Sequence, residues 1–231
     1  MHHELIEAAL GISDPWYGQG VDFDAAGKTL TIAIDFVAGS RFAHTDAVGL
    51  HPVHDTIAKR YRHLNFFQHE SFLEVRTPRM KLPDGRVVLV ELAFACKLTG
   101  FTLLFEGLVL AMCQKMPFAA GERLVGECWH RVHAICARYV GLAVAKADLS
   151  KTTAVAIDET SRERGHKYLT VIADALERKV TFVAPGRDGK TIADFRVYLR
   201  AHRADPAQIT LASIDMSPAF IKGVTEHLPN A

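Results

Sequence analysis

This chain has few cysteines and no charge surplus. It also has no long apolar run and no basic leader. Its four cysteines, Cys96, Cys113, Cys128 and Cys136, include no CxxC pair. Three of them fall in helix-like apolar contexts, so buried free thiols are expected in place of disulfides or zinc ligands. No apolar run approaches the ~20 residues of a membrane span. The N-terminus, Met-His-His-Glu-Leu-Ile-Glu, puts acids where a secretory leader needs bases and then an apolar stretch. A cytoplasmic protein with no membrane partner is the resulting expectation. A net charge of +1 removes bulk charge as a sign of nucleic-acid binding.

What is present is an ordinary globular composition with uneven charge. Of 231 residues, 49% are hydrophobic and 23% charged, enough to bury one core or two modest ones. Residues 1–39 hold six acids against one base, Lys28. Residues 40–82 hold seven Lys or Arg against four acids, with five histidines. An acidic start followed by a basic, His-rich stretch is compatible with a DNA-facing surface, and equally with an ordinary solvated one.

Residues 1–98 read as a β-rich module. Leu30, Ile32, Ile34 and Phe36 alternate with Thr31, Ala33 and Asp35, the period of a half-buried strand. Phe72–Thr77 and Val87–Val90 flank Pro83-Asp84-Gly85, a hairpin signal. Between these strands, residues 38–55 read as irregular, dense in Gly, His and Pro. His44, Asp46, His51 and His54 cluster there; without a cysteine nearby they read as solvated loop residues before zinc ligands.

Residues 99–148 read as helical. An apolar helix over 101–116 stops at Pro117, a short helix follows over 118–125, Gly126 turns the chain, and a third helix runs over 127–145. On the third, Trp129, Val132, Cys136, Tyr139 and Val140 share a face by their spacing. Arg131 and Arg138, seven apart, share another, with His130 close by. Short helix, glycine turn and Arg-bearing helix resemble a helix-turn-helix, although many three-helix connectors share the pattern. Arg131, Arg138 and His130 are the candidate DNA contacts.

Residues 149–231 alternate strand and helix. Ala154–Ile157 reads as a strand ending at Asp158, followed by strands over 168–173 and 179–184. A helix over 190–202, a strand over 208–214 ending at Asp215, and a helix over 218–227 complete the segment. A right-handed crossover would lay the last strand parallel to the first and bring Asp158 beside Asp215. Paired carboxylates suit Mg²⁺ or Mn²⁺ and the hydrolysis or transfer of phosphodiesters. Taken singly, each Asp is equally a turn residue. Glu159 would point to the other face of its strand. Arg162, Arg164, His166 and Lys167 follow and could contact phosphate.

At this point the chain resembles a known family. Ala154-Val-Ala-Ile-Asp-Glu-Thr-Ser161, Arg164-Gly-His166, Gly186-Arg-Asp188 and Ile214-Asp-Met-Ser-Pro-Ala-Phe-Ile-Lys-Gly223 are similar to the ISL-three family of insertion-sequence transposases. So are Pro52-Val-His-Asp55, Arg62-His-Leu-Asn-Phe-Phe-Gln-His69 and Gly100-Phe-Thr-Leu-Leu-Phe-Glu106. The resemblance implies a mixed α+β or α/β architecture: a degenerate zinc-ribbon-like module, a helix-turn-helix, and a partial RNase H-like domain. It also implies a DDE triad whose first two members are Asp158 and Asp215, used with Mg²⁺ or Mn²⁺. The partner would be double-stranded DNA at terminal inverted repeats, engaged by a homo-oligomer.

Two departures shape the expectation. Phe42 to His54 lacks the cysteines that many members carry in the ribbon, so a zinc-free hairpin held by apolar packing is expected. No position matches the third acid, a Glu, so the chain is expected to hold two of three catalytic carboxylates and to be inactive as it stands. The alternatives are a non-catalytic DNA-binding remnant that competes with an intact transposase, and an unstable product.

Overall fold

The computed structural model describes residues 7–96, 99–163 and 167–231. The chain is mixed α+β and divides into two compact units, residues 1–141 and 142–231.

In the first unit, six strands form one sheet: β1 (Trp16–Asp24), β2 (Thr29–Phe36), β3 (Arg41–His44), β4 (Ala47–Phe66), β5 (His69–Lys81) and β6 (Val87–Leu89). Their order is β1-β2-β5-β4-β3, with β6 on β5. The alternation of β2 works as its pattern requires, since Ile32, Ile34 and Phe36 are buried. Asp35 is buried as well, and its carboxylate accepts from Arg76 Nε at 2.7 Å. The Asp84-Gly85 turn joins β5 and β6 as an antiparallel pair, with Gly85 at φ 88°.

Most of residues 38–55 are not irregular. They form β3 and the first part of β4, a twenty-residue strand. Phe42 lies opposite His51, and Phe42 packs with Phe36, Met80, Leu82 and Val90. Gly49 and Pro52, which suggested a loop, are tolerated because this first part of β4 pairs with β3 alone, the pairing with β5 starting at Val53. Apolar packing therefore underlies this hairpin.

Three helices follow: α1 (Leu103–Cys113), α2 (Phe118–Val125) and α3 (Trp129–Ala145). α1 starts two residues later than its apolar run because Thr102 caps it, accepting from Phe105 N at 3.3 Å, while Phe101 bridges to Arg62. Gly126 ends α2 at φ 71°, a conformation in which a Cβ is strained. The helices close over Phe101, Phe105, Val109, Val125, Val132, Ile135 and Cys136.

The second unit is a four-stranded sheet, β7 (Ala154–Glu163), β8 (Lys167–Asp174), β9 (Lys179–Pro185) and β10 (Leu211–Ile214), in the order β10-β7-β8-β9. β10 runs parallel to β7 and the other pairs are antiparallel. The crossover is α4 (Gly189–Ala201), capped by Asp188, and α5 (Pro218–His227) follows β10. Val155, Ile157 and Ile172 meet Ile192, Phe195, Leu199 and Phe220 in one core, so both helices cover one face of the sheet. β7 does not stop at Asp158, as its apolar run suggests. It continues through its polar half because β8 pairs with it as far as Lys167.

Among the described residues, no helix is long and apolar enough to cross a membrane.

Candidate functional site

The parallel register of β7 and β10 sets the geometry. Leu211 is level with Ala154, and Ile214 with Ile157. One residue further on lie Asp158, still within β7, and Asp215, just past the end of β10. Ile157 and Ile214 both pack into the core under the helices. Strand alternation therefore puts Asp158 on the other face of β7, and Asp215 follows the last residue of β10; both are exposed. Each carboxylate is anchored through one oxygen: Asp158 Oδ1 accepts from Glu159 N at 2.8 Å, and Asp215 Oδ1 from Ser217 N at 3.1 Å. Pro218, at the first turn of α5, keeps β10 from extending past this point.

Glu159 does not join the pair. Its carboxylate lies 3.5 Å from Arg187 Nη1. Two exposed carboxylates, each one residue beyond a level pair of strand residues, are the donor type of a Mg²⁺-like cation, which commonly takes one or two carboxylates plus water and phosphate oxygens. Among the described residues, no group of three or more His, Cys, Asp or Glu is arranged to hold a metal. In the histidine-rich stretch, His51 is buried, and His44 Nδ1 accepts from the backbone of Asp46 at 3.1 Å.

Arg162 and Lys167 line a cavity of about 270 Å³ with Tyr168, Pro185, Gly186 and Arg187. The Arg187 guanidinium sits 4.2 Å above the Tyr168 ring. Arg164 and His166 lie outside the described residues. Reasoning from spacing missed the place of Arg187. The signal was the Gly186-Arg187-Asp188 run, where a turn glycine and a helix cap bracket one arginine.

In the first unit, the two arginines of α3 are engaged by protein partners. Arg131 pairs with Glu127 at 2.6 Å, reaches the Thr99 carbonyl at 3.4 Å, and lies 4.0 Å over the Phe101 ring. Burial pushes the Glu127 carboxyl up, against the opposing pull of Arg131 and Arg62. Arg138 pairs with Glu106, a fully buried carboxylate that also accepts from Thr99 Oγ1 at 2.6 Å and Tyr139 Oη at 2.9 Å. Burial, and then the bond to Glu106, raise the Tyr139 phenol. His130 is exposed, with its ring edge-on to Trp129 at 5.3 Å, and His133 stacks on Trp129 at 4.8 Å.

Comparison with known proteins adds the lineage. Residues 155–231 match the ISL3-type DDE family described as Transposase. The chain is 32% identical over 174 residues to the transposase for insertion sequence element IS1557 of Mycobacterium tuberculosis, across 75% of this chain and 39% of that protein. It is 28% identical over 223 residues to the transposase for insertion sequence element IS1001 of Bordetella parapertussis, across 94% of this chain and 54% of that protein. The chain thus spans about half the length, or less, of these curated relatives. No solved structure matches it.

Proposed function

We propose, for a chain whose residues 155–231 make it a member of the ISL3 transposase family, that it serves metal-dependent DNA strand chemistry. Asp158 and Asp215 are its cation ligands. The observation that supports this reading is the parallel register of β7 and β10, in which Ile157 and Ile214 are level and each is followed by an exposed aspartate. The strand order β10-β7-β8-β9, with the crossover helix on one face, supports an RNase H-like domain built around them.

Asp158 and Asp215 hold and orient the cation, their rotamers fixed by the backbone N–H groups of Glu159 and Ser217. A divalent cation bound there would polarise a phosphodiester oxygen and lower the pKa of a bound water or 3′-hydroxyl. Arg162 and Lys167 offset phosphate charge further along the strand, and Arg164 is proposed with them from sequence alone. The glycine turn between α2 and α3 supports a helix-turn-helix role for residues 118–145. There His130 contacts DNA, while Arg131 and Arg138 contribute from positions already paired with Glu127 and Glu106. The proposed partner is double-stranded DNA bearing terminal inverted repeats, bound by an oligomer on paired ends. A second reading, a DNA-binding module that competes with an intact transposase, is favoured by the lack of a third carboxylate at the pair among the described residues.

The test is to incubate the chain with end DNA and Mg²⁺ or Mn²⁺, measuring nicking and Mn²⁺-induced broadening of NMR signals near β7 and β10. Broadening lost in Asp158→Asn and Asp215→Asn supports the cation site. Unchanged broadening in both variants refutes it. Nicking abolished by Asp158→Ala excludes the binding-only reading, and binding without nicking favours it.

A further inference from the structure

The cavity at the far end of the β7–β8 hairpin has no role in holding the cation. β7 and β9 end there and β8 begins there. Arg162, Lys167 and Arg187 bring three cationic side chains to a space of about 270 Å³. A volume of that order suits one phosphate group better than a nucleobase with its sugar.

Arg187 is held in advance. Its guanidinium lies between the Glu159 carboxylate at 3.5 Å and the Tyr168 ring at 4.2 Å. The loop before it is tied down at both groups of Gly186: its N–H donates to the Tyr168 carbonyl at 2.9 Å, and its carbonyl accepts from Thr170 Oγ1 at 2.9 Å. Gly186 has φ +110°, and a Cβ there would meet Thr191 at 3.3 Å, so the turn is specific to glycine. Such a turn presents Arg187 in one orientation. A planar guanidinium fixed on an aromatic face loses little entropy when it takes a phosphate. α4 begins two residues later, at Gly189, with Asp188 as its cap.

We propose that this cavity is a phosphodiester subsite, with Arg187 as its anchor and Lys167 as its second cation. It grips the DNA backbone away from the bond being cut. Arg162 is four residues beyond Asp158 on the same strand, ~13 Å of extended chain, or about four base-pair steps of ~3.4 Å. Binding energy realised at this distance positions the strand against the carboxylates. The proposal rests on the DNA-strand reading above and adds a site to it.

The experiment is fluorescence anisotropy of the full chain with a labelled 20-base-pair duplex over a salt series, with EDTA present so that no cation contributes. The wild type, Arg187→Ala, Arg187→Lys and Lys167→Ala are compared. Losing one phosphate contact should weaken binding roughly five- to tenfold at 0.1 M salt and lower the log–log salt slope by about 1. That is the expected result for Arg187→Ala and for Lys167→Ala. Arg187→Lys should restore the slope but not the full affinity. Lys167 is exposed, so its variant decides the matter if Arg187→Ala melts early. Wild-type affinity and slope in both alanine variants would overturn the subsite and leave the DNA-strand reading standing. A wild type that binds no duplex at any salt would overturn that reading and the subsite with it.

Discussion

At the scale of the residue, similar side chains do different work according to burial. Arg131 and Arg138 share a helix face by spacing, but Arg138 compensates the buried charge of Glu106. Arg138→Ala removes the cationic partner of a carboxylate with no exposure to water. It should lower unfolding free energy by about 2–3 kcal/mol, since breaking a buried pair strands the remaining charge. A denaturant titration measures this. A melt unchanged from wild type would instead assign Arg138 to the surface. His63 is the acid-sensitive residue. Burial, then the charge of Arg62, lowers it from 6.5 to about 4, and its Nδ1 bonds Thr102 Oγ1 at 2.8 Å. The unfolded chain takes up this proton near pH 6.5 and the folded chain only near pH 4. Stability from neutral His63 is therefore present above pH 6.5 and lost progressively down to about pH 4, by up to about 3 kcal/mol. Thermal melts at pH 7, 5.5 and 4.5 should show the loss, and His63→Gln should flatten that part of the profile. None of this was visible in sequence, because burial and pairing arise between residues as distant as Glu106 and Arg138.

At the scale of the element, most strands and helices were legible, and their ends were less so. The alternation of β2, the Asp84-Gly85 hairpin and α2 over 118–125 agree with their patterns, and α5 over 218–227 was marked by its Pro218 start. β3 and the first part of β4 were not legible, since their His, Gly and Pro content mimics a loop and only pairing stabilises them as strands. β7 outran its apolar stretch for the same reason. The contact between α4 and α5 depends on Gly223. A Cβ there would stand 2.9 Å from Ile192 Cγ1 and 3.1 Å from the Gly189 Cα. Gly223→Ala should therefore force the helices apart and cost about 1–3 kcal/mol. The expected readout is a lower denaturant midpoint, while Gly107→Ala, with open space around it, should show no such penalty.

At the scale of the whole molecule, two units with separate cores have unequal surfaces. In the second, helices cover one face of the sheet, while Val180, Val183 and Leu211 on the other strands remain at least half exposed. β10 ends the strand order, so one of its edges is unpaired in the sheet. Edge strands with exposed apolar residues promote association. Leu211→Lys should reduce concentration-dependent self-association, measured by light scattering, without moving the melting temperature. Equal scattering by both proteins would place the contact elsewhere.

The sequence by itself determined the local and the periodic: the mixed α+β class, the hairpin and helix signals, the acidic signatures and the family resemblance. These depend on residues near one another along the chain, where spacing alone carries the information. Tertiary structure alone decided that Ile157 is level with Ile214, that Glu159 turns to Arg187 and away from Asp158, and that Arg187 is held over Tyr168 beside a cavity. Register, burial and ion pairing bring together residues separated by up to dozens of positions. Their energies depend on the space between elements, which no single segment contains.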